Sequence, residues 1–149
     1  MLKKYTIENT PKFSLAGEYL AKVINVVDGD TVDVAIKLSK FGVNKHRVRL
    51  VGIDAPETRT KNLEEKKAGK RSKKELISMV NGKLVKLIAG DFDNFGRILG
   101  HMIIDGNDVG DKLVSGGFAK NSPDGHSVKW TKEDEKPKTK RASTPYRTE

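Results

Sequence analysis

The segment VVDGDTVDVAIKL, residues 26–38, decides how this chain folds. Asp28-Gly29 is a turn dipeptide, and beyond it Val32, Val34, Ile36 and Leu38 alternate with Thr31, Asp33, Ala35 and Lys37. A period of two is the mark of a half-buried strand. Upstream, YLAKVINVV at 19–27 is rich in aliphatic and β-branched residues and reads as the partner strand, so the two form a hairpin. After a loop at 39–44 containing Gly42, residues 45–53 return as a third strand that carries Arg47 and Arg49 on one face.

Beyond the hairpin, Asp54-Ala55-Pro56-Glu57-Thr58 breaks the sheet, because Pro56 donates no ladder hydrogen bond and keeps Ala55 from helical angles. Residues 61–75 hold seven basic and three acidic side chains ahead of Leu76, Ile77 and Val80, which predicts a helix over 64–80 with a solvated basic face, weakened in its middle by Gly69. Strands follow at 83–89 and 97–104, separated by a loop at 90–96, and Asp105-Gly106 turns the chain. Val109, Leu113 and Val114 then suggest a short helix stopped by Gly116-Gly117. Five strands with a helix after the third and another at the end predict a mainly β, α+β architecture: a five-stranded OB-fold barrel with two to three helices. Residues 1–20 read as an entry arm, 21–120 as the barrel domain, and 121–149 as a polar tail too poor in apolar residues to offset the entropy of ordering.

Composition narrows the class. The chain has 149 residues, 36% of them apolar, which suits one domain. Its 29 basic against 20 acidic residues leave a formal charge of +9 that attracts polyanions, nucleic acid first among them. With no cysteine, disulfides, thiolate metal sites and cysteine nucleophiles are excluded, and any metal is held by oxygen or histidine. No signal peptide is visible after Met1-Leu2-Lys3-Lys4, and no run is apolar enough to span a bilayer. The expectation is a soluble protein without a membrane partner, cytoplasmic or else secreted with its leader removed. No long apolar seam calls for an obligate partner, so a monomer is expected.

Two turns place carboxylates beside strand ends: Asp28-Gly29-Asp30-Thr31 and Asp54-Ala55-Pro56-Glu57-Thr58. Either alone is ordinary turn chemistry. If the hairpin closes, Asp30 and the 54–57 loop come from neighbouring strands and offer carboxylate and carbonyl oxygens to a hard divalent cation, Ca²⁺ or Mg²⁺. Arg49 and Arg97, each an unremarked surface arginine when taken alone, add planar guanidinium forks that grip phosphate oxygens. Two arginines, two aspartates and a glutamate are the groups that phosphodiester hydrolysis requires.

The order and spacing of Val27-Asp28-Gly29-Asp30-Thr31, of Arg49 through Thr58, of Phe95-Gly96-Arg97, and of Leu113-Val114 with Gly117-Phe118-Ala119 resemble the staphylococcal nuclease (thermonuclease) family. The resemblance covers roughly residues 21–120, and several short motifs in sequence are more specific than any one of them. It implies an OB-fold barrel, a single Ca²⁺, and cleavage of DNA and RNA, single strands favoured, that leaves 3′-phosphate ends. By the same resemblance, Asp30 and Asp54 are the calcium carboxylates and Ala55 offers its carbonyl oxygen. Glu57 activates or orients the attacking water, Arg49 and Arg97 bind the scissile phosphate, and Asp28 supports the metal site from behind.

There are departures. Where the family usually continues with base-covering aromatics after Lys120, this chain reads Asn121-Ser122-Pro123-Asp124-Gly125, which predicts weaker substrate binding or an altered base preference. Phe95 stands where a tyrosine is common, and the hairpin between Thr31 and Arg49 is longer than in the founding member. The competing reading is a non-catalytic nucleic-acid-binding OB-fold module; retention of every matched charged residue favours the enzyme, because like charges held together without metal or substrate are costly.

Overall fold

The computed structural model describes residues 1–38 and 40–123. After a 3-10 turn at Leu2–Lys4, the elements run β1 (Gly17–Asp28), β2 (Thr31–Leu38), β3 (Gly42–Leu50), β4 (Ile53–Asp54), α1 (Leu63–Val80), β5 (Leu84–Phe92), β6 (Ile98–Ile104), β7 (Asn107–Asp108), α2 (Val109–Ser115) and β8 (Lys120–Asn121). The main sheet is ordered β3-β2-β1-β5-β6-β7, and a parallel pairing of β3 with β6 closes the five long strands into the barrel that the alternation predicts. Inward positions of every long strand, among them Val23, Val34, Val48, Leu87 and Met102, are fully buried, and Leu76 and Val80 of α1 and Leu113 of α2 join the same core. That is the pattern of a small barrel filled by its own side chains.

Several boundaries differ from the sequence reading, each for a local reason. β1 starts at Gly17, earlier than 19, and its pairing with β2 slips at Val23/Asn25 and again at Val26/Asp28. Such bulges twist a strand and re-aim its end, here at Asp28. β3 already begins at Gly42, whose φ of 66° turns the chain directly into the strand, so the loop expected through 44 is shorter. The strand predicted to run on to residue 53 instead ends at Leu50, and Gly52 at φ 78° separates it from β4. In one continuous strand, Arg49 and Asp54 would face opposite sides; the break turns them toward each other. β5 extends to Phe92 across an irregular register with β6, which shortens the predicted 90–96 loop. β8 pairs with β4, and Ser122 donates its N–H to the Gly52 carbonyl (2.8 Å), so the first residues assigned to the tail pack against the barrel. Residues 124–149, where the rest of the tail expectation falls, lie outside the described residues.

α1 starts one residue earlier than predicted. Asn62 caps it by accepting from the Glu64 and Glu65 N–H groups, and those two glutamates complement the helix dipole. Its Gly69 is more than a weak helix former. A Cβ at that position would lie 2.5 Å from the Glu57 carbonyl oxygen and 2.9 Å from that of Pro56. The missing side chain lets the helix rest directly on the backbone of the 54–58 loop.

Glu57 therefore owes its position to a glycine twelve residues away in the chain, and Gly69→Ala tests this. Alanine would improve intrinsic helix propensity by about 1 kcal/mol, yet the methyl meets backbone that cannot rotate aside. The expected net effect in urea unfolding is a loss of about 1–3 kcal/mol. A variant as stable as the parent would show that the helix does not bear on the loop.

Candidate active site

At the end of the barrel where the β1–β2 turn, the end of β3, the 54–58 loop and the start of β6 meet, a cavity of about 460 Å³ opens. Asp28, Asp30, Thr31, Arg49, Asp54, Ala55, Glu57, Phe95 and Arg97 line it. Every site residue proposed from the sequence is therefore on one cavity, although they come from four separate segments. Arg47 is not among them: it faces Asp33 (2.9 Å), whose carboxylate also takes an N–H from Asn25. The Arg47 hydrogen bond is the main cause that holds Asp33 below the usual carboxylate range.

Asp30 is buried, and both oxygens of its carboxylate have partners. Oδ2 accepts the Ala55 N–H at 2.9 Å and lies 3.4 Å from Nη2 of Arg49, while Oδ1 accepts the Thr31 hydroxyl at 2.9 Å. The same Arg49 nitrogen is 3.3 Å from Asp54 Oδ1, so two carboxylates from different loops converge on one cationic group. A second N–H of that guanidinium donates to the Leu50 carbonyl, fixing its plane. Asp28 accepts the Thr58 hydroxyl at 2.7 Å and so ties the β1–β2 turn to the 54–58 loop. The turn itself fits because Gly29 has no side chain: a Cβ there would lie 2.7 Å from that of Ser72 in α1.

Arg97 reaches the cavity through the barrel seam. Val48 pairs with Ile98 and Arg49 with Leu99, so Arg97, one residue before β6, falls on the outward face that Arg49 occupies on β3. Its guanidinium is set by Asp93, which accepts the Arg97 Nε–H at 2.6 Å and the backbone N–H groups of Arg97 and Phe95 at 2.9 Å each. The exposed Phe95 ring lies 5.4 Å from the guanidinium carbon. Sequence reasoning missed Asp93. The signal was present in the spacing, since aspartate at the first and glycine at the fourth position of Asp93-Asn94-Phe95-Gly96 is a turn signature, and the Gly96 N–H does return to the Asp93 carbonyl.

Glu57 keeps an exposed face, yet partial burial is the first cause that raises its carboxyl above the usual glutamate range, followed by the charges of Glu65, Asp28, Asp54 and Asp30. Its N–H donates to Glu65 Oε2 at 3.4 Å. A carboxylate surrounded by others is poised to take up a proton.

The donor set suits a hard cation. Asp30 and Asp54 already share a positive group, and Ala55, whose N–H Asp30 accepts, also lines the cavity. Among the described residues, no three carboxylates or imidazoles gather closely enough to hold a metal unaided. Carbonyl and water oxygens would have to complete the shell, as is usual for Ca²⁺. A second hollow of about 430 Å³ adjoins the first across Arg49, Phe95 and Arg97 and is walled by Leu50, Leu99 and Pro123. Pro123 thus stands in the stretch where the sequence reading missed a stacking ring.

The family model described as "Staphylococcal nuclease homologue" matches residues 47–144. A rice protein (Oryza sativa subsp. japonica) named "Probable staphylococcal-like nuclease CAN1" is 39% identical over 75 residues, half of this chain and 21% of its own length. An Escherichia coli protein named "Uncharacterized endonuclease" is 36% identical over 106 residues, covering 70% of this chain and 62% of the relative. Protein ParB of Escherichia coli is 37% identical over 83 residues, 56% of this chain and 41% of that one. The chain thus spans between about a fifth and three fifths of the length of these relatives.

Asp93→Asn keeps an acceptor for the loop N–H groups but removes the charge facing Arg97. Burial opposes ionisation of Asp93, and the Arg97 backbone and side-chain hydrogen bonds outweigh it, so its carboxyl is held below the usual range. A lowered folded-state value contributes stability above the ordinary aspartate range and loses it as pH falls through that lowered value. The variant should be less stable by about 1 kcal/mol at neutral pH, and the gap should close in acid. Thermal unfolding across pH measures it; a gap independent of pH would rule out the charge as its source.

Proposed function

We propose that this chain, which belongs to the staphylococcal nuclease homologue family, is a calcium-dependent nuclease that hydrolyses phosphodiester bonds of DNA and RNA and leaves 3′-phosphate ends. The observation that carries the proposal is the single cavity in which paired carboxylates, a separate glutamate and two guanidinium groups face one another.

Asp30 and Asp54, with the Ala55 carbonyl, would hold the Ca²⁺, and Asp28 supports them by pinning the 54–58 loop through Thr58. Bound there, the cation supplies Lewis-acid stabilisation to the phosphate oxygens and a second means of orienting water. The protein's own groups do the rest. Arg97, held rigid by Asp93, and Arg49, held by the Leu50 carbonyl, present N–H donors to the non-bridging oxygens on which charge builds. Glu57, its proton affinity raised by its surroundings, accepts the proton of the attacking water. The bond from phosphorus to the 5′-oxygen breaks, the 5′-oxygen takes a proton from solvent, and the phosphate stays on the 3′ side. Arginine is a better clamp than lysine here because it stays charged at every working pH and engages two oxygens at once.

Digestion of single-stranded DNA and RNA with calcium or with chelator tests the proposal. Cutting should require calcium and yield 3′-phosphate, 5′-hydroxyl ends. Glu57→Gln should lower kcat by about 10²- to 10⁴-fold while leaving the thermal midpoint close to that of the parent. Arg97→Ala should reduce turnover by about 10²- to 10³-fold and weaken binding as well. Salt-sensitive binding without cutting in calcium would instead identify a binding module, and parental activity in both variants would refute the assignment of roles.

A further inference from the structure

α1 buries Ala68, Gly69, Ser72, Leu76 and Val80 along one side. At 100° per residue, Lys67, Lys70 and Lys74 fall on the other, at the three- and four-residue steps that make neighbours on a helix surface, and Lys66 and Lys73 flank them nearer the packed side. Lys67, Lys70 and Lys74 are exposed, and Lys66 and Lys73 are partly so. Among the described residues, none of the five has a carboxylate within ion-pair distance, whereas Arg47, Arg49, Lys86 and Arg97 each face one. The acidic residues of the helix are Glu64 and Glu65 in its first turn and Glu75.

Like charges at these spacings oppose helix formation. The arrangement is therefore a persistent ridge of unneutralised charge, extending about 12 Å along the axis at 1.5 Å per residue. Its location is set by packing. The opposite side of the same helix touches the site directly, through Gly69 against the Glu57 backbone and Ser72 against Gly29. The ridge therefore stands one helix diameter, about 10–12 Å, from the cavity, on a rigid element rather than a loop.

We propose that this ridge is a second nucleic-acid contact, which holds the phosphate backbone of the substrate a few nucleotides from the bond cut in the cavity. It rests on the reading of the cavity as a nuclease site. Charge complementarity selects the occupant: a polyanion repeats its charge along a line, as the ridge does, and release of condensed counterions makes such contacts favourable without base specificity. The contact also supplies affinity that does not depend on base-stacking aromatics.

The test replaces all five lysines by glutamine, whose helix propensity matches that of lysine. A control variant replaces Lys22, Lys37, Lys45, Lys83 and Lys86, which are exposed on or beside the barrel strands and carry the same total charge. Circular dichroism confirms the fold of both. In a Glu57→Gln background, fluorescence anisotropy with a thirty-nucleotide single strand gives the slope of log K against log salt. Removing about three contacts at about 0.7 each should make the ridge variant's slope shallower by about 2, with the control near the parent. With Glu57 intact, the ridge variant should show a KM for the long strand raised about tenfold or more. Its kcat, and its cleavage of a dinucleotide-length diester, should be unchanged. Equal slopes in ridge variant and parent overturn the inference, as do equal losses in ridge and control variants, which would reflect net charge alone. Loss of binding only to vesicles of anionic phospholipid would assign the ridge to a membrane surface and also overturn it. If the parent cuts no diester at all, the nuclease reading falls, while the salt slopes still decide whether the ridge binds nucleic acid.

Discussion

A carboxylate withdrawn from solvent is costly unless opposite charge and hydrogen bonds surround it, and Asp30 is such a group. Its two oxygens hold the neighbouring Thr31 hydroxyl, the Ala55 N–H and the Arg49 guanidinium, so the β1–β2 turn, the end of β3 and the 54–58 loop are bound to one point. The architecture at this end of the barrel follows from that requirement. Gly29 lets the turn approach α1, Gly52 breaks the third strand so that Asp54 swings toward Arg49, and Gly69 lets the helix support the loop carrying Glu57. The barrel supplies a rigid frame, and the glycines permit the close approaches that the charged cluster needs.

The same cluster accounts for the division of labour among like residues. Arg47 and Arg49 are two positions apart on one strand face, yet one is spent on a local ion pair with Asp33 while the other spans the two carboxylates at the cavity. Arg97 differs again, being fixed by its own turn through Asp93 and covered by Phe95. Position relative to the strand end, rather than residue type, decides which arginine reaches the cavity.

Much of this was legible in the sequence. Alternation in 31–38 and the Asp-Gly turn gave the hairpin, and the motif order gave the barrel and the set of residues that share the cavity. What stayed hidden has a common cause. The role of Gly69 and the packing of Ser122 on Gly52 depend on approaches between segments far apart in the chain, and the strand break at Gly52 on a positive φ, none of which local periodicity encodes. Gly69 read as a defect in a helix because propensity sees only the helix itself. Asp93 was legible as a turn residue, but its function as the support of Arg97 required the seam that brings Arg97 to Arg49.

That seam carries a kinetic consequence. β3 and β6 are separated in the chain by all of α1 and β5, so their pairing is a non-local contact whose loop-closure entropy must be met before it is rewarded. Hairpins and helix can form earlier without bringing the two arginines together. The meeting of Arg49 and Arg97 at one cavity is consequently a property of the closed barrel, which none of its hairpins has by itself.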